Sequence, residues 1–131
     1  MKFAIALFAP PQAPSSRRAL RFAEAVLAGG HEIVRLFFYQ DAVQHASAAL
    51  VCAQDETDIA AQWIRFIQDN QLDSVVCIAA ALRRGVLDAG EAQRHGGRPA
   101  VVEQPQWALS GLGQLHEAAQ LADRLICFGG P

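Results

Sequence analysis

The sequence has no CxxC pair. Its three cysteines, Cys52, Cys77 and Cys127, stand far apart. An odd and scattered set argues against a disulfide framework and against a thiolate zinc site. The four histidines, His31, His45, His95 and His116, form neither HxxxH nor HxH, so no metal centre is expected. No apolar run is long enough to cross a bilayer. The opening "MKFAIALFAPP" falls short of that length and lacks a small-residue cleavage site, so it reads as a first strand and the chain as a cytoplasmic protein. An excess of base is also missing: 11 basic residues against 13 acidic ones leave a formal charge of −2. Direct nucleic-acid binding, which favours a basic face, is therefore not expected. Repeats, linkers and low-complexity stretches are absent as well.

What is present is apolar and evenly patterned. With 131 residues, 52% of them hydrophobic and 18% charged, the chain reads as one globular domain, 1–131, around a single core. Short apolar runs at 2–8, 32–39, 74–80 and 124–128 read as buried strands, with a weaker one at 99–103. Helical patterning occupies 15–30, with Ser15 or Ser16 as cap and Gly29-Gly30 as stop. It returns at 55–70, where Asp55 or Thr57 would cap a face carrying Ile59, Trp63, Phe66 and Ile67. Residues 88–97 open on Asp88-x-x-Glu91, a capping-box pattern, and 110–123 form a last helix behind a glycine-containing turn. Residues 40–54 are alanine-rich and read as a short helix and loop.

Strands alternating with helices imply an α/β fold: a flavodoxin-like parallel sheet of about five strands with helices on both faces. In such sheets ligands bind beyond the carboxyl ends of the strands. Cys77, the 9–16 loop, the Tyr39–His45 stretch and the 104–111 loop are expected to share that edge. A cofactor-binding flavodoxin would carry a glycine-rich phosphate loop after the first strand, whereas "APPQAPSS" offers prolines, so no cofactor is expected.

Cys77 lies where the third strand gives way to a turn or helix. There the amides of Ile78 and Ala79, with Arg83 and Arg84 about two turns on, would favour a thiolate. A plain buried thiol packed between Val76 and Ile78 is the competing reading. Cys52 lies in a loop-like stretch without a basic neighbour, and Cys127, inside "RLICF", reads as core. Tyr39 and His45 read as pocket lining or as packing, and Trp63 and Trp107 as core and interface residues. A cysteine hydrolase would need a histidine base that the sequence does not place near Cys77.

"VCIAAALRRGVLD", together with "FFYQDAV", "LSGLGQLHEA" and "ADRLICF", resembles the TusD/DsrE family of sulfur-relay proteins, from Met1 to Phe128. The "APPQAPSS" loop departs from the pattern. The resemblance implies a sulfurtransferase that holds sulfane sulfur as a persulfide on Cys77. Arg83, Arg84, Ile78, Ala79, Ser110 and Gly111 are the candidates to stabilise it. The implied setting is a heterohexamer with TusB-like and TusC-like subunits, with TusA as donor and TusE as acceptor, on the way to 2-thiouridine at the tRNA wobble position. Within the family, a DsrE-type subunit of oxidative sulfur metabolism and a non-catalytic structural subunit are the alternatives.

Overall fold

In the computed structural model, which describes residues 1–129, five strands form one parallel sheet. They are β1 (Lys2–Leu7), β2 (Glu32–Phe38), β3 (Ser74–Cys77), β4 (Trp107–Ser110) and β5 (Arg124–Phe128), in the order β4-β3-β2-β1-β5. The expected α/β class and five-stranded parallel sheet are therefore present.

The order places the helices. From β1 to β4 each strand steps one place in the same direction, so right-handed crossovers put their connections on one face. These connections carry α1 (Pro14–Ala28), α2 (Ile59–Asn70), α3 (Ile78–Arg83) and α4 (Ala89–Arg94). The step from β4 to β5 runs back across the whole sheet, which puts α5 (Gly113–Leu121) on the opposite face, against β1, β2 and β5. Strand alternation fits both coverings. Phe3 on β1 meets Phe22 of α1 edge to face, with ring centres 5.7 Å apart. The intervening Ala4 and Ala6, both buried, leave room for α5. Arg35 of β2 fastens that helix down: it donates to Gln114 O at 2.8 Å and pairs with Glu117 at 3.2 Å and Asp73 at 2.9 Å. Burial alone would lower the Arg35 pKa, but the two carboxylates outweigh it and hold the group above its ordinary value.

The largest buried side chains gather around Phe38, whose ring makes edge-to-face contacts with Trp63 at 5.5 Å and Trp107 at 5.0 Å. Both tryptophans are core residues.

Several local expectations change. The third strand stops at Cys77 instead of running to residue 80, because α3 begins at Ile78. Residues 99–103 are not a strand. The amides of Val101 and Val102 both donate to Leu87 O, and Val101 O accepts from Ala48 N, so this backbone pairs with loops. The fourth strand is Trp107–Ser110, inside the stretch expected to be a loop, and it pairs with β3 from Ser74↔Trp107 to Cys77↔Ser110. Residues 104–106 therefore lie at the opposite end of the sheet from Cys77. Helix α1 takes Pro14 at its first turn with Ala13 as cap, and α2 is capped by Asp58, whose side chain accepts from Ala61 N at 3.0 Å. Asp88 caps α4 as expected, accepting from Glu91 N at 2.9 Å. The 40–54 stretch opens as a 3-10 helix, Gln40–Ala46.

Candidate active site

Cys77 is the last residue of β3 and the N-cap of α3. The first-turn amides of a helix have no partner within it and point back toward the cap, so those of Ile78 and Ala79 aim at the end of the helix that Cys77 occupies. In the ladder Cys77 faces Ser110 of β4, so the two share one face of the sheet. Gly111 follows directly. A Cβ there would meet nothing within 4 Å, so no close approach dictates this glycine. Tyr39 follows Phe38, the end of β2, and packs half-buried against Phe8 and Phe37, with ring centres 5.8 and 6.2 Å away. The strand ends thus bring Cys77, Ser110, Gly111 and Tyr39 to one edge.

The two arginines divide. Arg84 donates from Nε to Asp41 Oδ1 at 2.8 Å and from NH1 to Ala80 O at 3.1 Å. It ties α3 to the 3-10 helix, and its charge is engaged there. Arg83 is exposed at the far end of α3 and lines a separate cleft with His95 and Arg98.

His45 spends its ring on a hydrogen-bond network of its own. It is 1% exposed, and both ring nitrogens are engaged: Nδ1 with Ala42 O at 2.8 Å and Nε2 with Ser16 Oγ at 2.7 Å. The Ser16 hydroxyl in turn accepts from Trp63 Nε1 at 3.1 Å. A carbonyl can only accept, so Nδ1 carries the proton and Nε2 accepts from Ser16. Burial, only partly offset by the bond to Ala42 O, lowers the pKa of this histidine from 6.5 to about 4. The sequence hinted at this network only through Ser16, which reads there as a cap and is instead buried in the core.

The three thiols sit in different surroundings. Cys127, expected in the core, is exposed, because β5 is an edge strand and Leu125 beside it is also uncovered. Cys52 is half-buried. Partial desolvation and the carboxylates of Asp58, Glu56 and Asp55 push its thiol pKa up, which disfavours the reactive thiolate. Cys77 is only 1% exposed and belongs to the core cluster. A reagent can reach it only after the edge around it opens. Iodoacetamide at neutral pH is therefore expected to modify Cys127 first, Cys52 more slowly and Cys77 last, the last through local opening. Timed alkylation followed by peptide mass spectrometry checks the order. Labelling of Cys77 as fast as Cys127 would mean that the edge stands open in solution.

Residues 1–128 match the model of the DsrE/DsrF-like family. The chain belongs to this family. It is 68% identical to the sulfurtransferase TusD homolog of Pseudomonas aeruginosa, over 99% of this chain and 98% of that one. It is 46% identical to the putative sulfurtransferase DsrE of Allochromatium vinosum, over 98% and 99% respectively. The sulfurtransferase TusD of Salmonella arizonae is 40% identical over 98% of this chain and its own full length. The ychN protein of E. coli has the same DsrE-like fold, with a TM-score of 0.71 over 97% of both chains at 19% identity.

Proposed function

We propose that this DsrE/DsrF-like protein is a sulfurtransferase that carries sulfane sulfur on Cys77. The observation that carries the reading is the position of Cys77: it alone of the three thiols both ends a strand and caps the helix that follows, at the carboxyl edge of the sheet. Its full-length curated relatives, named as sulfurtransferases, support the same class of reaction.

The chemistry needs one thiolate and no cofactor. The Cys77 thiolate attacks the outer sulfur of a donor persulfide. A bond forms between Sγ and that sulfur, the donor S–S bond breaks, and the electron pair leaves with the donor thiolate. The acceptor thiolate then attacks the same outer sulfur and Cys77 is released as a thiolate. Neither step changes the overall oxidation level, because one S–S bond replaces another. A second thiol beside Cys77 would discharge the persulfide into a disulfide. Cys52 lies in the loop before α2 and Cys127 on β5, two strands beyond β2 from Cys77. Burial of Cys77 also shelters a bound persulfide from stray thiols in solution.

In the finer form of the proposal, TusA is the donor and TusE the acceptor, in the cytoplasm, on the path to tRNA wobble 2-thiouridine. No helix among the described residues is long and apolar enough to cross a membrane. The 68% identity to a TusD homolog supports this path. Assembly with TusB-like and TusC-like subunits agrees with the exposed Leu112, Leu121 and Leu125 on and beside α5. The test is to load the protein from a cysteine desulfurase through TusA and to locate the added sulfur by peptide mass spectrometry. It is expected on Cys77. Sulfur on Cys52 or Cys127 with Cys77 bare would refute the assignment.

A further inference from the structure

The far end of α3 carries a feature that the sulfur chemistry does not use. A cleft of about 480 Å³ opens there, lined by Leu82, Arg83, Gly85, Leu87, His95 and Arg98. Among the described residues, neither Arg83 nor Arg98 has a carboxylate within salt-bridge distance. Arg98 spends only its Nε, on His95 O at 3.0 Å. Glu91 is already engaged, taking Arg94 on one oxygen at 3.1 Å and His95 on the other at 3.2 Å. The same concave surface therefore presents two guanidinium groups with no carboxylate partner, in a chain whose formal charge is −2.

We propose that this cleft is an electrostatic seat for an acidic segment of a protein that exchanges sulfur with Cys77. The inference rests on the Cys77 reading and adds to it how a partner is held in register. Guanidinium groups match carboxylates in two-point geometry. Helix α3 runs directly from Cys77 to Arg83, and at 1.5 Å per residue it sets the two about 9 Å apart along its axis. Extended chain covers that distance in about three residues. A glutamate or aspartate about three residues from the partner's reactive cysteine would reach the cleft while the cysteine reaches the thiol. An RNA backbone fits less well. The cleft has no Phe, Tyr or Trp on its walls, and two free cations make too small a footprint on a net-acidic chain.

Two peptides test the seat, one with a cysteine three residues from a pair of glutamates and one with glutamines in their place. Binding to the Cys77→Ser protein is measured by fluorescence anisotropy at low salt, with and without the double substitution Arg83→Gln/Arg98→Gln. The glutamate peptide is expected to bind better than its control by about five-fold, and the double substitution or high salt should erase the difference. Because this readout needs no persulfide, it stands apart from the sulfur chemistry. Transfer from loaded wild-type protein to the same peptides should show the same coupling, while discharge by dithiothreitol stays unchanged in the double variant. Equal binding of the two peptides would overturn the seat. So would a single-stranded RNA whose binding depends on both arginines, or inorganic phosphate binding that accounts for all of the arginine dependence. If the persulfide never forms while the binding coupling holds, the Cys77 reading fails and the seat survives.

Discussion

Replacing Cys77 with serine should reduce sulfur transfer to the rate seen without the protein, whereas Cys52→Ser and Cys127→Ser should keep most of it. A hydroxyl cannot hold a transferable sulfane sulfur, so the loss would be complete rather than partial. The substitution also has a structural side. Cys77 is 1% exposed, and a hydroxyl buried without a partner costs about 1–3 kcal/mol. Ser110, its partner across the ladder, is the nearest candidate to satisfy that hydroxyl, which would bring the cost toward the lower figure. Cys77→Ala is the matching control, since it removes the thiol without adding a polar group. Transfer is measured with persulfide-loaded donor and either variant, alongside urea denaturation of each. Loss of transfer in both variants, with folding intact in at least one, assigns the chemistry to the thiol. Substantial transfer by a folded Cys77→Ala protein would remove Cys77 from the mechanism.

How far the sequence disclosed this arrangement depended on the range of the forces involved. The alternation of apolar runs and helical faces carried the sheet and the strand-to-helix junction at Cys77, because those signals are local. The placement of β4 was not local. Val101 and Val102 look more strand-like than "WALS", yet the ladder formed at Trp107–Ser110, where Trp107 could join Phe38 in the core. The Leu87 carbonyl took up the valine segment instead, accepting from both valine amides. Cys127 was misread for a related reason: "RLICF" has the composition of an inner strand, but the long return from β4 leaves β5 at an edge. Around the thiol, the pairing with Ser110 followed once β3 and β4 were adjacent. The binding of Arg84 to Asp41 spans 43 positions and left no trace in spacing. The buried link among Ser16, His45 and Trp63 joins three separate elements, so a serine that looked like a helix cap turned out to be part of the core.

That link predicts how the protein responds to acid. His45 donates to Ala42 O and accepts from Ser16, which in turn accepts from Trp63, so every polar atom in the chain of contacts is satisfied only while the ring is neutral. Protonating Nε2 would break the acceptor role and leave a charge among Phe38, Trp63 and buried aliphatic groups. The folded-state pKa lies below the unfolded one, so the unfolded chain binds the proton more readily. The contribution of His45 is fully present above pH 6.5, falls as the pH drops toward 4 and is flat below that, for a total of about 3 kcal/mol. Urea midpoints between pH 4 and 7.5 should therefore fall steeply with acid in the wild-type protein. His45→Gln cannot titrate. It should be less stable at pH 7.5 by about 1–3 kcal/mol, through loss of the fitted hydrogen bonds, and should show a much shallower fall below pH 6.5. Every other titratable group is common to the two proteins, so the difference between the two curves isolates the histidine. Parallel curves would mean that His45 takes up its proton without disturbing the core, and that the network around Ser16 tolerates a charge.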